Sequence, residues 1–229
     1  MGMRGTGMTA YSDVLIIGSG VSGLSFALKV ARFSRVTLIT KKKKADSATN
    51  LAQGGVAAVL SVEDSVEAHV TDTLVSGDGL CNEEIVRIVT TEGPARVREL
   101  VEFGVRFQKG EHGEEFDLGM EGGHSTRRVA HASDLTGKEI ERALLAQIAQ
   151  HPNIEVLENH LAIDLLIESK ALGRERQEGD RCLGAYVLNR ITGEVETRLA
   201  GVTVLCTGGC GKVYLYTTNP DIATGDGVA

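Results

Sequence analysis

The chain has 229 residues, of which 42% are hydrophobic and 24% charged, and its formal net charge is −7. These proportions are typical of a folded globular protein and exclude a disordered or fibrous chain. The acidic balance argues against a nucleic-acid-binding protein, and no apolar run approaches the roughly 20 residues that a membrane helix needs. Glycine is over-represented, with 28 residues, which indicates loops whose geometry requires it.

The N-terminal residues 1–12 precede the first apolar run and predict a flexible leader, followed by one domain over 13–229. The leader lacks the apolar core of a secretory signal peptide. The cysteines are widely scattered and form no CxxC pair, which predicts reduced thiols, no structural metal and a cytoplasmic location. They are Cys81, Cys182, Cys206 and Cys210.

A βαβ unit opens the domain. The apolar run Val14–Ile17 predicts a buried strand, a glycine turn follows, and the spacing of Leu24–Arg32 predicts a helix. Val36–Ile39 predicts a second strand, which a right-handed crossover places parallel to the first. The fold class is therefore α/β, with a Rossmann-like parallel sheet and crossover helices.

The rest of the chain alternates helices, loops and strands. Irregular segments are expected over 41–60, where the loop leads into a short helix, and over 109–135. Gly93-Pro94 is expected to separate two helices, because proline interrupts a helix. The expected helices are 64–75, 82–92, 94–103 and 137–150; the expected strands are 154–157, a meander of 163–167, 183–188 and 194–198, and a buried strand 202–205.

The glycine turn fits a dinucleotide-binding loop, because GxGxxG directly follows a strand and opens a helix. Glycines permit the tight turn, the close approach of a pyrophosphate and close helix packing, while the helix N-terminus favours an anion. No acid for a ribose stands at the end of the second strand, and Lys41–Lys44 fit either an NADP phosphate or a solvated turn. The turn thus indicates a dinucleotide without deciding which. Its residues are Gly18, Ser19, Gly20, Val21, Ser22 and Gly23.

The segment Ser47–Ala58 resembles the flavin-binding loop of the succinate dehydrogenase/fumarate reductase flavoprotein superfamily. Within that superfamily the chain most resembles the L-aspartate oxidase family, and the likeness runs from Asp13 to Ala229. Several ordered motifs make the match more specific than GxGxxG alone. They are Asp64-Ser65, His69, Asp72-Thr73, Glu121–Ser125, Arg127-Arg128, His131-Ala132, Asp134–Gly137, His151–Ile154, Thr207–Gly209, Tyr216–Pro220 and Thr224–Gly227.

This resemblance implies that 13–229 is the N-terminal portion of an FAD-binding domain, incomplete relative to the family. The capping domain, the helical domain and the acid/base arginine of the family lie in later sequence, so the chain alone is expected to be inactive. The implied FAD contacts are Ser19 to Ser22 for the pyrophosphate, Lys41 for the adenosine ribose, Ala48, Thr49, Asn50, Leu51, Ala52, Gln53, Gly54 and Gly55 for the ribityl chain and flavin, backbone groups of Leu161 and Ala162 for the adenine, and Asp226 from the far loop.

The residue at position 48 distinguishes members of the superfamily that bind flavin covalently from those that do not. Covalent members of the superfamily carry histidine in Ser-His-Thr, whereas this chain has Ser47-Ala48-Thr49. Alanine has no nucleophile, so the implied FAD is held non-covalently, which favours the oxidase. A soluble fumarate reductase or succinate dehydrogenase-like flavoprotein and a non-enzymatic dinucleotide-binding module are the alternatives.

The resemblance also implies a substrate site at Glu121, whose carboxylate faces the ammonium group of L-aspartate. The implied reaction oxidises L-aspartate to iminoaspartate, the first step of quinolinate and NAD biosynthesis, with oxygen or fumarate as electron acceptor and quinolinate synthase as a candidate partner. His124 has two equal interpretations, a contact to a substrate carboxylate or a hydrogen bond within the loop. His69 is expected to be structural.

Overall fold

The computed structural model describes residues 9–110, 115–133, 135–175 and 177–228. The chain divides into two compact units, the first formed by residues 1–48 and 145–229 and the second by residues 49–144. None of the described helices is both long and apolar enough to cross a bilayer.

The helices are α1 (Val21–Val30), α2 (Ala48–Leu51), α3 (Val66–Ser76), α4 (Glu83–Glu102), α5 (Thr136–Gln150) and α6 (Glu168–Ala171). The strands are β1 (Thr9–Ile17), β2 (Val36–Thr40), β3 (Val56–Ala57), β4 (Leu118–Gly119), β5 (Val129–Ala130), β6 (Ile154–Glu158), β7 (His160–Ile167), β8 (Cys182–Asn189) and β9 (Val195–Leu205).

The first unit is built on a six-stranded sheet in the order β6-β2-β1-β9-β8-β7. The strands β6, β2, β1 and β9 are parallel, and β9, β8 and β7 form an antiparallel meander. Apolar side chains from the centre of this sheet, including Leu15, Ile39 and Val187, form its buried core. The predicted α/β fold with a parallel sheet, crossover helix and meander is confirmed.

Two boundaries in this sheet differ from the prediction. Thr9–Ser12 belong to β1 and pair with residues 197–200 of β9, so the leader predicted through Ser12 is wrong at its C-terminal end. The remainder of that leader, residues 1–8, lies outside the described residues. The two strands predicted over 194–198 and 202–205 are one strand, because Gly201 lets the chain continue where a side chain would approach the Asp13 carbonyl oxygen at 3.2 Å.

The apolar end of β9 is not buried as predicted. Val202 and Leu205 retain 53% and 48% of their exposed surface. They pair with Val14 and Ile17 of β1, so this end of β9 belongs to the sheet although both side chains are exposed.

The second unit packs α3 and α4 with a small antiparallel sheet in the order β3-β5-β4. Each of these strands has two residues, which is too short to show the alternation of apolar and polar residues typical of a strand. They lie in the segments 41–60 and 109–135, which the sequence predicts to be irregular. The break predicted at Gly93-Pro94 is wrong, since α4 runs unbroken through Pro94. Proline disfavours a helical residue before it partly through that residue's Cβ, and Gly93 has none.

Candidate functional site

The glycine turn of the first unit lies between β1 and α1. Gly18 has a φ of +119°, and a Cβ there would lie 2.1 Å from the Cys206 carbonyl oxygen. A Cβ on Gly23 would lie 2.0 Å from the Gly18 carbonyl oxygen. Only glycine fits these two positions, so the turn is pressed between the start of α1 and the end of β9, as a close-packed dinucleotide loop requires.

The N-terminus of α1 carries the features of an anion site. Gly20 is the N-cap, no side chain in the described part of the chain caps it, and the first turn contains no acidic residue. Ser19 donates from Oγ to Thr40 Oγ1 over 3.1 Å and is buried, whereas Ser22 is exposed and lies 3.5 Å from Cys206 Sγ. The first turn of α1 therefore adds no negative side chain that would compete with an anion at the positive end of the helix dipole.

Lys41 and Asp226, both predicted to contact the cofactor, are paired with each other. Lys41 Nζ donates to Asp226 Oδ2 and to Thr224 Oγ1, each over 2.6 Å. Thr224 Oγ1 also donates to Asp226 Oδ1 over 2.6 Å. The Lys41 hydrogen bond, with that of Thr224, lowers the pKa of Asp226. This pair ties the loop after β9 to the end of β2 within the first unit.

Leu161 and Ala162 lie on β7, the last strand of the sheet order. They pair with Leu188 and Val187 of β8, and the register shifts directly after Ala162. A strand at the edge of a sheet carries backbone groups that no further strand pairs. Their position is therefore compatible with the predicted backbone contacts to adenine, which stay a prediction.

A cleft of about 670 Å³ lies within the second unit, inside the range of roughly 300–1,000 Å³ common for small-ligand sites. It brings Gln53, Gly54 and Gly55 to the same surface as Glu121, and Glu121 Oε1 lies 3.3 Å from where a Gly54 Cβ would be. Within the described residues, no hydrogen bond or ion pair engages the Glu121 carboxylate. The full lining is Gln53, Gly54, Gly55, Gly119, Met120, Glu121, Val129, His131, Ser133 and Leu135.

The other members of the predicted flavin loop do not line this cleft. Ala48, Thr49, Asn50 and Leu51 form α2, and Ala52 follows it. Gly137 at the start of α5 donates its N–H to the Ala52 carbonyl over 3.0 Å, and a Cβ on Gly137 would lie 1.9 Å from the Thr49 carbonyl oxygen. The absence of a side chain at Gly137 thus allows α5 to pack closely against residues 49–52.

The two histidines near Glu121 have different surroundings. His124 is outside the cleft lining and packs edge-on against His69, with ring centroids 6.2 Å apart. His131 lines the cleft and its Nε2 lies 3.6 Å from Asp117 Oδ2. The sequence places His131 in a motif but assigns it no role in the site; the pairing of residues 118–119 with 129–130 places it opposite Asp117.

A buried ion-pair network supports the cleft. Arg128 is fully buried and makes a two-pronged contact with Asp64, at 3.0 and 2.9 Å, and a third contact with Asp72 at 2.7 Å. Arg127, its neighbour, is exposed. Asp64, Asp72 and Arg128 all come from motifs singled out in the sequence, and the structure joins them into one network.

Comparison with known proteins identifies the family of the chain. A family model described as "FAD binding domain" matches residues 13–229. The chain is 50% identical over 225 residues to L-aspartate oxidase 2-a, chloroplastic, of Nicotiana tabacum, covering 97% of this chain and 34% of that protein. It is 50% identical over 223 residues to the L-aspartate oxidase of Pseudomonas aeruginosa, covering 95% of this chain and 41% of that protein. A solved structure of E. coli quinol fumarate reductase FrdA superposes with a TM-score of 0.86 and 31% identity, over 96% of this chain and 36% of that one. The chain therefore spans well under half the length of these relatives.

Proposed function

The chain belongs to the FAD binding domain family, and on that premise we propose that it forms the cofactor-binding part of an L-aspartate oxidase. The proposed reaction converts L-aspartate to iminoaspartate, the first step of quinolinate and NAD biosynthesis. The observation that carries the proposal is the cleft in which Gln53, Gly54 and Gly55 meet Glu121. The names of the relatives at about 50% identity support the same activity.

The residues of the first unit fit the nucleotide part of FAD. The turn at Gly18 leaves no room for a side chain, and the uncapped N-terminus of α1 favours the pyrophosphate. Lys41 would contact the adenosine ribose, and Asp226 would contact the cofactor from the loop after β9. Ala48 offers no nucleophile, so the cofactor would be held without a covalent bond. When bound, FAD supplies a two-electron acceptor for the hydride on the substrate Cα.

Glu121 gives the second unit its proposed selectivity. Its carboxylate is exposed at the cleft and engages no cation among the described residues. It would pair with the ammonium group of L-aspartate, which succinate lacks. A carboxylate in this position favours the amino acid by charge, because a substrate without the cation leaves Glu121 unpaired.

An absorption spectrum with FAD titration tests the cofactor assignment. We expect the purified chain to show flavin bands that acid precipitation releases into the supernatant. A colourless protein that binds NADPH and no FAD would contradict the proposal. We also expect the chain alone to bind FAD without oxidising L-aspartate, because the resemblance places the acid/base arginine in later sequence.

A charge-removing substitution at the cleft tests the substrate. In a chain extended to the length of the relatives, Glu121→Gln should lower kcat/KM for L-aspartate by roughly 10- to 150-fold, the value of one lost charged hydrogen bond. Fumarate reduction should change much less. Glu92→Gln on the exposed face of α4 makes the same charge change away from the cleft and serves as control. Equal losses for both substrates would favour the second candidate, a fumarate reductase, which the 31% identical structural relative suggests.

The proposed context follows from the same reaction. Oxygen or fumarate would accept the electrons, and quinolinate synthase would consume the product. A cytoplasmic location is proposed from the cysteine pattern, although the tobacco relative is described as chloroplastic.

A further inference from the structure

The loop that carries Glu121 needs an anchor. It spans residues 120–128 between β4 and β5, and its tip contains Gly122 and Gly123. Gly123 has a φ of +87°, and a Cβ there would lie 2.5 Å from Ser76 Oγ at the end of α3. Adjacent glycines give the backbone many conformations, so an unanchored loop would spread Glu121 over many positions.

A single oxygen atom on α3 holds this loop. Asp72 Oδ2 accepts the Ser125 N–H and the Ser125 hydroxyl, each over 2.8 Å, and Arg128 Nη1 over 2.7 Å. The Ser125 backbone hydrogen bond is the largest of the contacts that lower the pKa of Asp72. The carboxylate therefore stays ionised and bonded to the loop across the neutral pH range.

The anchor is itself fixed. The side chains of Arg128 and Asp64 form a two-pronged pair and are both completely buried. The Arg128 backbone donates to the Gly119 carbonyl over 3.1 Å and accepts from Ala58 N–H over 2.9 Å. The side chain and the main chain of Arg128 are thus held by separate partners. Because Arg128 also binds the Asp72 carboxylate, the oxygen that accepts the Ser125 donors is held in one place.

We propose that Asp72 is a positioning residue, which through Ser125 sets the place of Glu121 at the cleft and thereby the affinity for an amino-acid substrate. This inference rests on the proposed function for the role of Glu121. The loop anchoring can be measured without that function. Neither Asp72 nor Ser125 is among the residues that line the cleft, whereas Glu121 is.

The experiment compares three variants. Ser125→Ala removes the hydroxyl donor, Ser125→Thr keeps a hydroxyl, and Ser65→Ala removes the N-cap of α3, whose Oγ accepts the Ala68 N–H over 3.1 Å. Ser65→Ala destabilises the same helix and leaves the Ser125 contact intact. The readouts are amide hydrogen exchange of residues 120–125 in this chain, and KM and kcat for L-aspartate and for fumarate in a chain extended to the length of the relatives.

We expect Ser125→Ala to speed exchange in the loop and to raise KM for L-aspartate roughly two- to tenfold, the effect of one lost hydrogen bond. The kcat for L-aspartate and the KM for fumarate should stay unchanged, and Ser125→Thr should restore both readouts. The inference would be overturned if Ser125→Ala had the same exchange rates and the same KM for L-aspartate as the wild type. It would also be overturned if Ser65→Ala changed the exchange rates and KM as much as Ser125→Ala does. A wild-type protein that oxidises no L-aspartate refutes the proposed function instead, and the exchange rates then decide the anchoring alone.

Discussion

Gly54 and Gly55 are neighbours in the cleft-lining loop, and the structure predicts opposite outcomes for alanine at the two positions. A Cβ on Gly55 would lie 2.4 Å from Val129 Cγ1 and 2.5 Å from the Ala130 carbonyl oxygen. Ala130 belongs to β5, the middle strand of its sheet, which cannot move without disturbing its pairing on both sides. At Gly54 the nearest atom is Glu121 Oε1 at 3.3 Å, the end of a flexible side chain.

Magnitudes follow from these contacts. Forcing a methyl group into closely packed backbone destabilises a protein by about 1–3 kcal/mol. For a chain of this size that lowers the melting temperature by about 2–12 °C. Gly54→Ala has no such clash, and the reduced freedom of the unfolded chain contributes about 0.4–1 kcal/mol of stabilisation. Gly54→Ala should instead displace the Glu121 carboxylate by a few tenths of an ångström.

Thermal unfolding of the two variants, followed by circular dichroism, checks this difference. Gly55→Ala should melt clearly below wild type, and Gly54→Ala at or slightly above it. In the extended chain, Gly54→Ala should raise KM for L-aspartate although it folds normally. The reasoning is refuted if Gly55→Ala is as stable as wild type, or if the two variants are equally destabilised.

Three further predictions concern charged groups. Arg128→Met should lower the free energy of unfolding in urea by about 3–5 kcal/mol, because two carboxylates lose their buried partner. Arg127→Met on the surface serves as the control and should be nearly neutral. Similar losses for both variants would contradict the ion-pair network. Asp226→Asn should weaken FAD binding, measured by flavin fluorescence, while stability changes by only about 0–1 kcal/mol because the pair with Lys41 is partly exposed; unchanged FAD affinity would remove Asp226 from the cofactor site. Burial, with the nearby Arg128 charge, holds the pKa of His69 below 6.5. The unfolded chain therefore binds more protons, and the free energy of unfolding should fall as the pH drops below 6.5. His69→Gln should flatten this pH dependence, and an unchanged slope would show that another group causes it.

The sequence predicts the first unit better than the second for a physical reason. Continuous apolar runs such as Val14–Ile17 and the glycine turn after them have few structural interpretations. The strands β3, β4 and β5 are two residues long and carry no period. Helix α4 continues through Pro94 because the preceding residue is glycine, a local exception that proline rules do not cover.

The same contrast holds for the site. Gln53–Gly55 and Glu121 were selected by resemblance, and the structure places them on one cleft. His131 belongs to a motif that carried no predicted site role, because its place in the cleft depends on the pairing of the two-residue strands β4 and β5. The contact of Arg128 with Asp64 and Asp72 joins residues more than fifty positions apart in the chain, so no local pattern could reveal it.

The buried network also explains how a glycine-rich loop can hold a selective charge. Glycines such as Gly122 and Gly123 let a ligand approach the backbone closely, but they leave the loop around Glu121 conformationally free. A buried ion pair contributes little net stability, because the desolvation of its charges offsets their attraction. The stability of the second unit therefore does not account for burying Arg128 between two carboxylates. Holding Ser125, and with it Glu121, at one position gives that arrangement a use that an apolar core of the same volume could not supply, since an apolar side chain has no oxygen to accept the Ser125 donors.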